Sequence, residues 1–165
     1  MAFYTNYTRS TVQYTQKYKD FNSVHPQPTT KAELDLLKKD IEEKKPLFIG
    51  LSAMSSMYLD TVNAIIDMIH ANFDIPVFCG GAFTTMCPEY FLNRGVAGVL
   101  RSEGERAIVQ LADALSSGKS YFDIPTLGYK KDGEIVLNPI EGIPNDIDEY
   151  GLPTINSPWA CYIDH

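Results

Sequence analysis

Residues able to do chemistry concentrate in three short stretches: Ser52-Ala53-Met54-Ser55-Ser56, Gly80-Gly81-Ala82-Phe83-Thr84-Thr85 and Ser102-Glu103-Gly104-Glu105. Ser52, Ser55, Ser56, Thr84 and Thr85 carry hydroxyls that can donate or accept hydrogen bonds. Gly80 and Gly81 lack side chains, so a flat or bulky ligand can approach the backbone closely. Glu103 and Glu105 can accept hydrogen bonds from amide donors. Taken singly, a Gly-Gly after a strand is more often a tight turn, and a serine before a helix more often a cap. Three such stretches on one edge favour a binding site. Catalytic pairings are poor by comparison. Cys79 ends an apolar run, and Cys87 has no histidine near it in sequence. Their separation is not a zinc spacing, and His70 lies on a helical pattern without a metal-ligand partner. Neither Gly-x-x-x-x-Gly-Lys-Ser/Thr nor Gly-x-Gly-x-x-Gly occurs.

The elements that must position these stretches alternate strand and helix. Leu47 to Leu51, Ile75 to Cys79 and Val96 to Leu100 are apolar runs suited to strands covered on both faces. Each is followed by one of the three polar stretches and then by helical periodicity. The first such helix runs from about Met57 to Phe73, with Val62, Ile65, Ile66, Ile69 and Phe73 as its buried stripe. Pro88 and Glu89 suit the first turn of a short helix. Ile108, Leu111 and Leu115 mark a third helix, closed near Gly118. The pattern predicts a parallel sheet whose strand ends face a ligand, with phosphate-binding N–H groups at the helix starts.

Outside this centre, Thr30 and Glu33 form a capping box for a helix carrying Leu34, Leu37 and Ile41 on one face, ended by Pro46. Thr11 to Tyr18 alternates like an edge strand or arm, and His25-Pro26-Gln27-Pro28 is a loop. Lys130-Lys131-Asp132-Gly133 links two strand-like runs, Thr126 to Tyr129 and Glu134 to Leu137, as a hairpin. The expected organisation is an arm over residues 1–29, an α/β domain over 30–140 and an irregular exit segment over 141–165.

The chain has 165 residues, 44% hydrophobic and 21% charged, as a single globular domain would. A net charge of −7 argues against nucleic acid and anionic membranes as main partners. Three cysteines give no disulfide framework and suit a reducing, cytoplasmic compartment. There is no run of about 18 apolar residues to span a membrane.

The three stretches, in this order, resemble the N-terminal cobalamin (vitamin B12)-binding domain of cobalamin-dependent radical S-adenosylmethionine proteins. That family carries Gly-Leu/Ile-Ser, then Gly-Gly-x-His-x-Thr with Pro-Glu, then Gly-Glu-Gly-Glu. Here these stand as Gly50-Leu51-Ser52, Gly80-Gly81-Ala82-Phe83-Thr84-Thr85 with Pro88-Glu89, and Ser102-Glu103-Gly104-Glu105. Downstream, Ile124-Pro125-Thr126-Leu127, Lys131-Asp132-Gly133-Glu134-Ile135 with Asn138-Pro139, and Asp146-Ile147-Asp148 also match. The resemblance covers about residues 30–150.

It implies a Rossmann-like (flavodoxin-like) three-layer α/β sandwich with a mostly parallel sheet and a C-terminal β-hairpin. It also implies a cobalamin site lined by Ser52, Met54, Gly80, Gly81, Thr85, Glu103 and Gly104, with Ser55 and Thr84 as further hydroxyls of the same loops. The cofactor would serve methyl transfer or related radical chemistry. S-adenosylmethionine and a 4Fe-4S cluster would belong to a catalytic domain outside this chain, which lacks the Cys-x-x-x-Cys-x-x-Cys motif.

This chain departs from the family at three points. Phe83 replaces the family histidine, and Ser102 replaces a glycine. The first strand-helix unit has no clear counterpart, which leaves a sheet edge through which two copies could pair. The Asp-x-His-x-x-Gly motif that supplies an axial histidine elsewhere is absent too. A flavodoxin-like nucleotide or flavin carrier and a non-catalytic interaction domain are the alternatives.

Overall fold

The capping box at Thr30 starts the first element of the structure, a computed structural model that describes residues 29–140. The Thr30 hydroxyl accepts from the Glu33 N–H (3.3 Å), and the Glu33 carboxylate accepts from the Thr30 N–H (2.9 Å). Helix α1 then runs Lys31–Lys44. Strand β1 (Ile49–Ser52) follows, then a short 3-10 turn (Ser56–Tyr58) and helix α2 (Leu59–Asn72). Next come β2 (Val77–Gly80), α3 (Ala82–Met86), α4 (Pro88–Asn93), β3 (Gly98–Leu100) and α5 (Glu105–Ser116). Strands β4 (Leu127–Lys131) and β5 (Glu134–Leu137) close the described chain.

The five strands form one mixed sheet in the order β1-β2-β3-β4-β5. The first three are parallel, and β4 and β5 add on antiparallel. Helices cover both faces, giving the three-layer α/β sandwich. On one face Ile41 of α1, Val62, Ile65, Ile66 and Ile69 of α2, and Phe91 and Leu92 of α4 pack on Ile49, Leu51, Val77, Cys79 and Val99. On the other, Ala107 and Leu111 of α5 and the following Ile124 pack on Phe78, Leu100, Leu127 and Tyr129. This division follows from strand alternation, which sends successive side chains to opposite faces.

Strand limits differ from the apolar runs by up to two residues. Leu47 is exposed, and Pro76 has no N–H to give a ladder. The Pro76 carbonyl nevertheless accepts from the Ile49 N–H (3.0 Å). Gly80 pairs with Ser52, so β1 and β2 extend into the polar stretches. In α2 the expected stripe is buried at Val62, Ile65, Ile66 and Ile69, Phe73 is half-buried, and His70 is exposed. The hairpin is tighter than the four-residue link expected. Lys131 pairs with Glu134, leaving Asp132-Gly133 as a two-residue turn with φ of 52° and 88°. Two positive φ values are what a type I′ hairpin turn requires.

Among the described residues β1 pairs only with β2, so its other edge carries no strand. The expected Thr11–Tyr18 strand, most of the arm and the exit segment fall outside the described residues.

Candidate functional site

The carboxyl ends of β1, β2 and β3 bring the three polar stretches together through backbone stitching. Ala53 is fully buried. Its N–H donates to the Gly80 carbonyl (2.7 Å), and its carbonyl accepts from the Phe83 N–H (3.0 Å). These bonds hold the loop after β1 against the loop after β2. Ser52 and Met54, on either side of Ala53, are exposed. The Ser55 hydroxyl accepts from the Met57 N–H (3.3 Å), so Ser55 caps the short turn that follows.

Gly80 and Gly81 have different roles. Gly81 has φ 99°, and a Cβ there would lie 2.8 Å from the Ala53 carbonyl oxygen. Its missing side chain is explained by the protein's own backbone. At Gly80 a Cβ would meet only the Leu100 carbonyl oxygen, at an ordinary 3.7 Å. Packing does not require glycine there. Gly104 has nothing within 4 Å of its would-be Cβ.

The two threonines of the second loop also divide. Both return their hydroxyls to carbonyls four residues back, a local pattern of small hydroxylic residues. Thr84 is fully buried and donates to the Gly80 carbonyl (2.9 Å), so it braces the loop from within. Thr85 is half-buried and donates to the Gly81 carbonyl (3.1 Å). Its oxygen also accepts from the Ser102 N–H (2.8 Å), which ties the second loop to the third. Ser102 takes the left-handed conformation, φ 60°, that glycine adopts without strain. Glu103 and Glu105 are exposed.

Phe83, at the family's histidine position, joins the apolar cluster of the first face. Its ring lies edge-on to Tyr90 (6.0 Å) and Phe91 (6.1 Å). Tyr90 in turn accepts from Asn63 Nδ2 (2.7 Å). Burial pushes the Cys79 thiol up to about 12, so it is no nucleophile near neutrality. No group of three or more His, Cys, Asp or Glu suited to a metal ion occurs among the described residues. Nor is any helix among them long and apolar enough to cross a membrane.

Sequence reasoning missed Arg101. Its Nε donates to the Thr126 carbonyl (3.3 Å) and its Nη2 to the Asn138 carbonyl. Burial lowers its pKa, opposed by the charge of Glu89. The partners lie 25 and 37 residues downstream, so no local pattern could expose them.

Small and hydroxylic residues thus gather at the parallel strand ends of an α/β domain. The chain belongs to the B12 binding domain family, whose model matches residues 22–112. It is 28% identical over 120 residues to an uncharacterized methyltransferase of Pyrococcus horikoshii. That match takes in 72% of this chain and 26% of the relative, so the chain spans about a quarter of the relative's length. Among solved structures, the fold is similar to the radical S-adenosylmethionine methyltransferase TsrM from Kitasatospora setae with cobalamin and a [4Fe-4S] cluster bound. The TM-score is 0.59 at 23% identity, over 69% of this chain and 22% of that one. It is similar too to the cobalamin-dependent S-adenosylmethionine radical enzyme OxsB with aqua-cobalamin and S-adenosylmethionine bound. There the TM-score is 0.59 at 20% identity, over 67% of this chain and 16% of that one.

Proposed function

We propose that this chain is the cobalamin-holding module of a radical S-adenosylmethionine enzyme that transfers a methyl group or runs a related radical step. The observation that carries the reading is Gly80, a strand-end glycine that the protein's own packing does not need. Gly80, Gly81 and Gly104 would let the cofactor approach the backbone. Ser52, Met54, Thr85 and Glu103 would border it, while Ser55 and Thr84 would hold their loops in shape. The chemistry such a cofactor supplies is carriage of a methyl group at cobalt. S-adenosylmethionine and a 4Fe-4S cluster would be held by a catalytic partner domain. The outer edge of β1 is the surface through which two copies would pair.

The test is titration of the purified chain with hydroxocobalamin and methylcobalamin, read by visible absorbance and co-elution on gel filtration. Wild type should bind with a spectral shift, and Gly80→Leu should weaken binding at least about tenfold, a loss near 1.4 kcal/mol, without unfolding. Equal binding by wild type and Gly80→Leu would remove the strand end from the site. Elution volume in the same runs reads the oligomeric state.

A further inference from the structure

Arg101 stands where the third strand passes into the third loop of the site, yet its hydrogen bonds run to the base of the β4–β5 hairpin. Its backbone N–H (3.2 Å) and its Nε (3.3 Å) both donate to the Thr126 carbonyl. Its Nη2 donates to the Asn138 carbonyl. Thr126 opens the hairpin on one side and Asn138 closes it on the other. The base is itself built for this. The Thr126 N–H donates to the Pro139 carbonyl (2.9 Å) and the Asn138 N–H to the Leu127 carbonyl (2.9 Å). The Asn138 amide donates to the Phe122 (2.6 Å) and Ile124 (2.7 Å) carbonyls. Thr126 is 3% exposed and holds φ 67°, a strained setting for a β-branched residue. Ser102, directly after Arg101, is left-handed too, and its N–H is the one Thr85 receives.

We propose that Arg101 is a positioning residue that latches the Ser102–Glu105 loop to the base of the β4–β5 hairpin and so sets Ser102 against Thr85 at the strand ends. This rests on the reading that the loop borders the cofactor. The hairpin is then a working part of the site, although it supplies none of its residues. A guanidinium suits the task because its planar fork can hold two carbonyls at once, which an ammonium on a flexible stem cannot do in the same geometry. Arg101 remains cationic, since arginine does not lose its proton in proteins. The latch is therefore permanent, not a pH switch.

The experiment compares the full chain with Arg101→Met, Arg101→Lys and Arg101→Met/Ser102→Gly. Residue-resolved amide exchange is measured without cofactor, and cobalamin titration alongside. Arg101→Met should speed exchange at Ser102 about tenfold, the factor expected from losing a hydrogen bond to a charged group. Amides of Ile66 and Val99 should be unchanged. Cobalamin should bind about tenfold more weakly, and Arg101→Lys should recover only part of either loss. Ser102→Gly should restore part of the affinity, because glycine takes the left-handed conformation without a latch. Unchanged exchange at Ser102 in both single variants would overturn the proposal. So would equal acceleration of Ser102, Ile66 and Val99, which marks a general stabiliser. If wild type binds no cobalamin the cofactor reading falls, and the exchange comparison still decides the latch.

Discussion

The two faces of the sheet are finished differently. On the face of α1, α2 and α4, aliphatic and aromatic side chains close over Ile49, Leu51, Val77 and Cys79 until almost nothing is exposed. On the opposite face Ala107 and Leu111 of α5 close over Phe78, Leu100 and Leu127, with Phe48 and Val136 packed alongside. There Phe48, just before β1, packs on Phe78, while β1 presents Gly50 and the exposed Ser52 and β2 ends in Gly80, by strand alternation. A Cβ at Gly50 would meet only the Phe48 ring, at 4.0 Å. The first face is complete in itself. The second is small-residued where the site loops begin, which is the arrangement a domain needs if part of its surface is to be covered by a ligand.

The largest expected break in this contrast is on the closed face. Ile66 is fully buried, and Ile66→Ala should cost about 2–5 kcal/mol, read as a lower urea midpoint, because the close packing leaves a cavity. Gly81→Ala should come next. It forces a Cβ onto the Ala53 carbonyl and an alanine into positive φ, worth about 1–3 kcal/mol of strain. Gly80→Ala in the same assay should stay within about 0.5 kcal/mol of wild type, since its Cβ meets only ordinary contact. Equal losses at the two glycines would erase the distinction on which the site is drawn.

A further effect is absent at neutral pH. The Cys79 thiol moves from an ordinary 9.0 to about 12 by burial, so the unfolded chain loses that proton first. Stability from this group is complete below pH 9 and falls as pH rises towards 12, by at most about 1.4 kcal/mol per unit. Tyr121, pushed up by burial, adds to the fall. Cys79→Ala should flatten the decline between pH 9 and 11, and an unchanged slope would place the thiol in contact with water.

Local patterns in the sequence determined a good deal. The Thr30–Glu33 box, the α2 stripe, the Asp132-Gly133 turn and the strand-loop-helix rhythm each involve residues a few positions apart. Nearest-neighbour geometry specifies such features before any tertiary contact forms. The grouping of three polar stretches on one edge was legible for the same reason, since parallel strands joined by helices must end together.

Tertiary structure alone decided the rest. Adjacent Gly80 and Gly81 look alike in sequence, as do Thr84 and Thr85. Only the position of Ala53 and of Ser102 tells one glycine from the other and sends one threonine inward and its neighbour across to the third loop. Arg101 is the extreme case. Its role depends on carbonyls far along the chain, and a carbonyl acceptor carries no side-chain signature. Spacing along the chain determines which elements form, whereas which surfaces meet is decided by packing among distant parts, and the site lies where they meet.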